Sequence, residues 1–599
     1  MSTKVGSARL YDTLCRVLDS LRAEAPSSDA RYNPPLGNPE GIVQARSRAL
    51  LHLFLKARFG LVQFKEREAF VTDGSQDGGI DAYYIDKKNK LIYVLQSKFR
   101  ANATNFVSTN MSAYDLLKMD VARVMKGERR DEKGAPYNEC IVRGMQKAVQ
   151  KLTDAGSYTT QVVLLGNTKN LSSGDLKKLV PGYEVEQFPH DRAYRELLFP
   201  VINGTYFTDP NLTIEINLAN LKGDTHLDYD VKTAALRPNI KLLFVPTTEI
   251  GRIMQTYKNS ILKFNPRSFL ELKNNPVNRE IEASIRNMKS NEFALFNNGI
   301  TIIADGTSIS SDTAKQGTAQ VVLRNPQLVN GAQTAFTLGR IYEECAKTND
   351  FKVFKGKEVL LKIITFVGMR KASGEDARLS LVSEISKASN SQTKVEESDR
   401  RSNDPVQLKL QQELFEQFGL YYERKRGEFS DGIRYGYLPP DLVLKREKLV
   451  RVSLACEYRA NETRSSISKF FDEKVFSTLL KVDDAGKYAY GYEVLDLLER
   501  KRKEKPKTKG DHYHTKENGQ ALRYGQYAVV AICANLGPPA KMTAEQAKQA
   551  ILLQWMKFEH WAEKRASNKG YLDASGFDYV NYYKGSTINS DLKTFTFSL

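Results

Sequence analysis

The chain has 599 residues, more than one hydrophobic core usually organises, and the sequence therefore predicts several domains. A composition of 41% hydrophobic and 27% charged residues is typical of water-soluble proteins. No apolar run approaches the roughly 20 residues that cross a bilayer, which argues against a membrane protein. The formal net charge of +18 favours a polyanionic partner such as nucleic acid.

Cysteine usage and the N-terminal segment bear on the cellular compartment. Five isolated cysteines argue against a disulfide framework and a cysteine-based zinc site, and predict core thiols; they are Cys15, Cys140, Cys345, Cys456 and Cys533. The first residues have the pattern of an amphipathic helix interrupted by charges, which does not resemble a secretory signal. We therefore expect a cytoplasmic protein.

The first region, residues 1–215, is predicted to be a mixed α/β domain. Residues 39–61 carry apolar side chains at helical spacing, with Glu40 in the first turn and Gly60 near the end, which predicts a helix. Two β-rich runs then flank the polar residues 86–90, which predicts a hairpin. Helices and strand-like runs alternate from there to the end of the region.

The predicted hairpin brings polar side chains together. A turn centred in the polar stretch pairs Tyr84 with Tyr93 and Asp81 with Gln96 on the facing strand. Because side chains alternate along a strand, Gln96 and Lys98 project from the same face. The sequence thus places a carboxylate, an amide oxygen and an ammonium group in one small patch.

Such a patch suits phosphodiester hydrolysis assisted by Mg²⁺ or Mn²⁺. These cations prefer oxygen ligands, which Asp81 and Gln96 supply, while Lys98 orients the attacking water and stabilises charge on the phosphate. The site needs a further carboxylate. Glu40 on the preceding helix is the first candidate, and Asp77 in the glycine-rich loop is the second.

The rest of the chain is predicted to form two further parts. Residues 216–400 alternate strand-like runs with helices and predict a second α/β domain. Residues 401–599 are predicted to be mainly helical. Trp555 and Trp561 lie in the last long helical stretch, where we expect them to pack a C-terminal core.

One motif carries a resemblance to a known nuclease superfamily. The sequence D-G-G-I-D at residues 77–81 is followed, after fourteen residues, by Q-x-K. This pattern resembles the Mrr-like branch of the PD-(D/E)XK nucleases, in which glutamine replaces the middle acid. The resemblance implies a restriction-endonuclease-like mixed-sheet domain that cleaves DNA with a metal ion, with Asp81 and Gln96 as ligands and Lys98 as the catalytic lysine.

A second resemblance covers the later regions. Polar segments rich in glycine or asparagine lie after or between apolar strands, where they allow tight turns and a close approach of the backbone to a ligand; they span residues 296–305, 326–338, 385–404 and 421–429. Together with residues 264–270 and 276–285 they resemble the AIPR family, named for abortive infection and phage resistance. The resemblance implies an α/β AIPR domain and antiphage defence through damage to nucleic acid. Phage double-stranded DNA is the first candidate target, with single strands and RNA as alternatives, and a partner protein of a defence system is a further candidate.

A turn within the second region suggests a nucleotide ligand. V-N-G-A-Q-T at residues 329–334 is similar to the glycine-centred turn of ParB-like nucleotide-binding domains. That similarity implies a pocket for a nucleotide or a DNA end; its candidate residues are Asn297, Asn298, Asn330, Gln333 and Thr334. The alternative is a set of structural turns whose amides cap neighbouring backbone groups.

Two arginines at the start of the helical region offer a phosphate clamp. Arg424 and Arg426 alternate with other charges in E-R-K-R-G-E, and guanidinium forks match phosphate oxygens. Alternating charges are also typical of a solvated face of salt bridges.

The leading hypothesis is a metal-dependent endonuclease that cuts DNA in antiphage defence. Cutting both strands with one site per chain would favour a homodimer. Two alternatives stay open: a nucleic-acid-binding regulator with a degenerate nuclease fold, and a nucleotide-gated interaction protein that acts through the second region.

Overall fold

The computed structural model describes most of the 599 residues. The described ranges are 3–152, 157–221, 226–233, 237–265, 276–287, 290–310, 317–366, 381–382, 384–386, 388, 399, 401–536, 542–566, 571–573 and 576–599. Two segments singled out in the sequence, residues 264–270 and 385–404, lie largely outside these ranges.

The chain divides into two compact units. The N-terminal unit comprises Ser7–Lys394 and Arg426–Pro440, and the C-terminal unit comprises Met1–Gly6, Val395–Lys425 and Asp441–Leu599. The division near residue 395 lies close to the predicted boundary at residue 400. No division coincides with the predicted boundary at residue 215.

The helices and strands of the first 366 residues alternate, as predicted for an α/β fold. The helices are α1 (Lys4–Arg22), α2 (Pro39–Phe59), α3 (Phe64–Glu68), α4 (Ala103–Ser108), α5 (Ala113–Leu117), α6 (Val121–Met125), α7 (Lys147–Gln150), α8 (Ser173–Leu179), α9 (His190–Ala193), α10 (Phe199–Asn203), α11 (Thr247–Tyr257), α12 (Pro276–Asn287), α13 (Phe293–Phe296) and α14 (Ala332–Thr348). The strands are β1 (Ala82–Asp86), β2 (Leu91–Ser97), β3 (Thr159–Leu165), β4 (Glu184–Phe188), β5 (Asn211–Asn217), β6 (Leu227–Asp230), β7 (Pro238–Pro246), β8 (Ile300–Ala304), β9 (Gly306–Ser310), β10 (Thr318–Arg324), β11 (Gln327–Asn330) and β12 (Glu358–Phe366).

The first sheet has the strand order β1-β2-β3-β4. β1 and β2 form the predicted antiparallel hairpin, and Tyr84 pairs with Tyr93 as expected. β3 runs parallel to β2, and β4 runs parallel to β3. The central strands are almost continuously apolar because both of their faces are buried, with Ile92, Val94 and Val162 in the core.

Helix α2 forms as the sequence predicts and packs against this sheet. Asn38 caps its first turn by accepting the Gly41 N–H, and Gly60 ends it in the left-handed conformation at φ 67°. Its middle turns are buried, including Leu50 and Leu53. The helix therefore fixes one side of the region that contains the hairpin.

The remaining strands of the N-terminal unit form two sheets, ordered β5-β10-β9 and β11-β8-β12-β7-β6. β5 pairs with β10 along its length, so the boundary predicted at residue 215 falls inside a strand of the second region. Residues 293–305 include one of the strand-like runs of the second region, and only their last part forms a strand. Phe293–Phe296 is helical and Gly299 takes a φ of 81°, so β8 starts only at Ile300.

The C-terminal unit is mainly helical, as predicted. Its main helices are Pro405–Phe418, Arg446–Cys456, Glu473–Leu479, Ala485–Lys503, Thr515–Asn518, Gln526–Leu536, Ala544–Ala566, Tyr579–Lys584 and Thr587–Thr594. Trp555 is fully buried in the core of this unit, and Trp561 packs against that core. Among the described residues, no helix combines the length and apolar character needed to span a membrane.

Four of the five cysteines are buried, as predicted, and Cys140 is exposed. Cys140 begins a π-helical segment, Cys140–Gln146, that turns Ile141 and Met145 into the core. The prediction of a core thiol was therefore wrong for Cys140, because the segment buries its apolar side chains at other positions.

Candidate metal centre

Three aspartates meet in the glycine-rich loop that precedes β1. Oxygen atoms of Asp73, Asp77 and Asp81 lie within 4.8 Å of one another. The loop can fold back on itself because Gly78 and Gly79 both adopt left-handed conformations, with φ values of 63° and 69°. Of these aspartates, Asp77 and Asp81 were predicted as ligands, and Asp73 was missed.

Backbone amides orient two of these carboxylates. Asp77 accepts hydrogen bonds from the Gly74 and Gly79 N–H groups at 3.0 and 2.9 Å. Asp81 accepts one from the Ser97 N–H at 2.6 Å. The last contact ties the loop to the end of β2, where the predicted Gln96 and Lys98 lie.

A side chain from outside the loop clamps it in place. The Asn138 N–H donates to the Gln76 carbonyl at 2.8 Å. The Asn138 amide group donates to the carbonyls of Thr72 and Ser75 at 3.0 and 3.3 Å. The loop is thus held at several points before a ligand arrives, and exposed Cys140 is two residues from the clamp.

The electrostatics of the cluster favour a bound cation. Burial raises the pKa of Asp81 to about 8, and the charges of Asp73 and Asp77 raise it as well, against lowering by the Ser97 N–H and by Lys98. Burial also raises the pKa of Asp77. Neighbouring carboxyl groups ionise with difficulty because their negative charges repel each other. A divalent cation bound between them stabilises their ionised forms.

Gln96 and Lys98 converge on one residue of a neighbouring helix. The Gln96 Nε2 group donates to the Asp115 carbonyl at 2.9 Å, and the Lys98 Nζ atom lies 3.4 Å from the Asp115 carboxylate. Gln96 and Lys98 therefore share a side of the strand, as predicted. Although burial raises the pKa of Asp115, hydrogen bonds from Ser112 and the charge of Lys98 hold it below its usual value.

The amide oxygen of Gln96 is an orphan. Gln96 is 4% exposed, and its Oε1 atom has no hydrogen-bond partner among the described residues. A buried acceptor without a partner is costly in a native structure and often marks a ligand site. Three carboxylates with one free amide oxygen fit a hard cation such as Mg²⁺ or Mn²⁺.

Glu40, the first candidate for the additional carboxylate, lies outside the cluster. It is exposed in the first turn of α2. The same helix instead directs Arg48 at the loop, with its guanidinium 3.0 Å from the Asp73 carboxylate and 2.7 Å from the Asp73 carbonyl. Helix α2 thus places the guanidinium of Arg48 beside the cluster, whereas the sequence predicted the carboxylate of Glu40 there.

The candidate nucleotide residues of the second region are partly brought together. Asn297 donates to the Thr334 hydroxyl at 3.0 Å and accepts the Gly299 N–H at 3.0 Å. Asn330 accepts the Gly331 N–H at 2.8 Å. These bonds favour structural turns, the alternative reading of this motif.

Two candidates of the same set lie at the surface of the turns. Asn298 is exposed, and Gln333 is half-buried in the first turn of α14. The two turns pack closely, since a Cβ atom on Gly331 would lie 2.8 Å from the Gly299 carbonyl oxygen. Glycine is required there for contact between backbones as well as for its left-handed conformation.

The two arginines of the predicted phosphate clamp have different environments. Arg424 is buried in the C-terminal unit and donates to Gln411 at 2.8 Å and to the Ser402 carbonyl at 2.7 Å. Arg426 is half-buried and falls in the N-terminal unit. The internal bonds of Arg424 favour a structural role for that side chain.

Comparison with known proteins bears on the second half of the N-terminal unit and on part of the C-terminal unit. No curated protein and no solved structure is significantly similar to the chain. The family model described as "AIPR protein" matches residues 262–509. The match begins well after the acidic cluster, and it supports the resemblance of this later region to the AIPR family.

Proposed function

We propose that the protein is a divalent-metal-dependent endonuclease that cleaves DNA in antiphage defence of the abortive-infection type. The observation that carries the proposal is the cluster of three carboxylates, which the Ser97 N–H ties to the end of β2. At that end Gln96 has a buried oxygen without a partner among the described residues, and Lys98 carries an ammonium group. The defence role is supported by the AIPR match over residues 262–509.

Four residues are suited to hold the metal ion. Asp73, Asp77 and Asp81 offer carboxylate oxygens, and Gln96 offers its free amide oxygen. A bound Mg²⁺ or Mn²⁺ would polarise the scissile phosphate and lower the pKa of a water molecule. The backbone bonds to Asp77 and Asp81 preorganise their oxygens, which reduces the cost of ordering them on binding.

Lys98 is suited to act on the phosphate itself. Its side chain is 38% exposed, so the ammonium group is held by Asp115 and still faces solvent. A lysine in that position donates hydrogen bonds to a phosphate oxygen or to the attacking water and offsets the negative charge of the transition state. Asp115 keeps the flexible side chain near the carboxylates.

Cleavage of supercoiled plasmid and of single-stranded DNA in Mg²⁺ or Mn²⁺ tests the proposal. We expect Lys98→Ala to lower the rate by roughly 10²-fold or more, the usual effect of losing one preorganised charged donor. Lys87→Ala removes an exposed lysine from the turn of the same hairpin and should leave the rate unchanged.

One result would contradict the role of Lys98, and another would contradict the nuclease itself. Wild-type cleavage by Lys98→Ala would remove the lysine from the mechanism. A wild-type protein that binds DNA and leaves both the plasmid and single-stranded DNA intact in both metals would support the alternative of a regulator with a degenerate nuclease fold.

A further inference from the structure

The short helix α5 carries an exposed apolar edge. Tyr114 is 65% exposed and Leu117 is 63% exposed. Between residues 37 and 226, no other large apolar side chain of the described residues is exposed to this degree. A single exposed apolar side chain is common on a protein surface, but two of them lie together on the short helix α5.

A cation accompanies this edge. The Lys118 Nζ atom lies 4.1 Å from the centre of the Tyr114 ring, and Lys118 is itself exposed. An aromatic ring beside a lysine combines a stacking surface with a phosphate-binding charge. We call Tyr114, Leu117 and Lys118 the α5 edge.

The α5 edge borders the candidate metal centre on two sides. Asp115, between its members, receives the Gln96 amide and pairs with Lys98. On the other side the Lys118 carbonyl packs against the acidic loop, since a Cβ atom on Gly79 would lie 2.8 Å from it. The Asp120 N–H also donates to the Gly78 carbonyl at 2.8 Å.

We propose that the α5 edge is a stacking platform for an unpaired base of single-stranded DNA, next to the phosphate that the metal centre cleaves. The inference rests on the proposed nuclease function and narrows its substrate. Bases of a duplex are stacked on each other and cannot lie on a protein ring, whereas those of a single strand can. The Lys118 ammonium beside the Tyr114 ring matches a DNA phosphate next to a stacked base better than it matches an apolar protein partner.

Binding measured without cleavage tests the platform. Fluorescence anisotropy of a labelled thymidine oligonucleotide in EDTA is compared between the full-length protein and its variants. We expect Tyr114→Ala to weaken binding roughly ten- to hundredfold, the range for loss of one stacked base. Tyr114→Phe should bind as the wild type does. Tyr229→Ala, which removes an exposed tyrosine on β6 in a different sheet, is the matched control.

A strand with abasic sites separates stacking from charge. The wild type should bind it more weakly than the normal strand, and Tyr114→Ala should bind both alike. Equal binding of both strands by the wild type would overturn the platform, and so would unchanged binding by Tyr114→Ala. If the wild type fails to cut any DNA while the Tyr114-dependent binding persists, the nuclease function fails and the platform does not.

Discussion

Asp81 is the residue on which the candidate metal centre depends most. Its carboxylate faces two others and has one backbone donor, so without a cation it keeps its proton to a pH of about 8. The unfolded chain releases that proton near the ordinary value of 3.8. The folded state therefore binds more protons between these values, and raising the pH favours unfolding.

We predict that the free energy of unfolding of the metal-free protein falls between about pH 4 and pH 8, and that Asp81→Asn removes much of this fall. At pH 8 the variant should be more stable than the wild type by ~1–3 kcal/mol, the cost of a buried charged group with too few partners. Urea unfolding in EDTA at a series of pH values measures both quantities.

Two controls complete the pH experiment. Asp191→Asn removes an exposed carboxylate on α9 and should keep the wild-type slope. Added Mg²⁺ should stabilise the wild type at pH 8 and leave Asp81→Asn nearly unaffected, because only the wild type gains a ligand. Equal slopes for wild type and Asp81→Asn would contradict the raised pKa.

At the scale of single elements, the junction of β11 and α14 shows how much a turn constrains its sequence. Gly331 has a φ of 82° and touches the Gly299 carbonyl, so a side chain there meets both backbone strain and a collision. Gly317 has a nearly equal φ of 79° but has no heavy atom within 4 Å of an added Cβ. Substitutions at Gly331 and Gly317 therefore separate the cost of the left-handed conformation from the cost of the collision.

We predict that Gly317→Ala lowers the stability by about 1–2 kcal/mol, the cost of a left-handed conformation with a Cβ atom. Gly331→Ala should cost at least ~1 kcal/mol more, because the backbone of Gly299 cannot move aside as a flexible side chain can. Thermal unfolding of both variants measures the difference. Equal losses would mean that the turns separate readily.

The sequence predicted correctly those elements that depend on contacts between residues close together in the chain. The hairpin register follows from the position of one short turn and from alternating apolar side chains, and Tyr84 does pair with Tyr93. Helix α2 also begins and ends at its predicted signals. The same register leads from Asp81 to the end of β2, where the Ser97 N–H donates to the Asp81 carboxylate.

Other parts of the site depend on contacts that local patterns do not encode. Asp73 reaches Asp81 only through the path of a loop with two left-handed glycines, although aspartates at every fourth position were a visible signal. Asp115 reaches Lys98 through the packing of a five-residue helix. The boundary predicted at residue 215 falls inside β5, which pairs with a strand far along the chain, and local patterns do not encode that pairing.

At the scale of the whole molecule, the surplus of positive charge is the strongest general signal for a nucleic-acid partner. The formal net charge is +18, and the acidic cluster is a local exception to it. A basic surface brings DNA to the protein and releases counterions from its phosphates. A metal ion bound to the acidic cluster would lessen its repulsion of a phosphate.

We predict that the affinity for DNA falls by roughly tenfold or more between about 50 and 200 mM salt, as counterion release requires. Anisotropy titrations at several salt concentrations give the slope. An uncharged peptide nucleic acid of the same base sequence should bind weakly at every concentration. Binding of DNA that does not depend on salt would contradict the proposal that the positive charge of the protein attracts the DNA phosphates.

The clamp formed by Asn138 has a practical consequence. Cys140, two residues away, is the exposed thiol of the chain, and the other four cysteines are buried. A fluorophore coupled there by maleimide chemistry would sit beside the anchor of the acidic loop, in a protein with no engineered residue. Its emission would respond to the charge that a bound cation adds beside the fluorophore, and would give an optical readout of occupancy without any substrate.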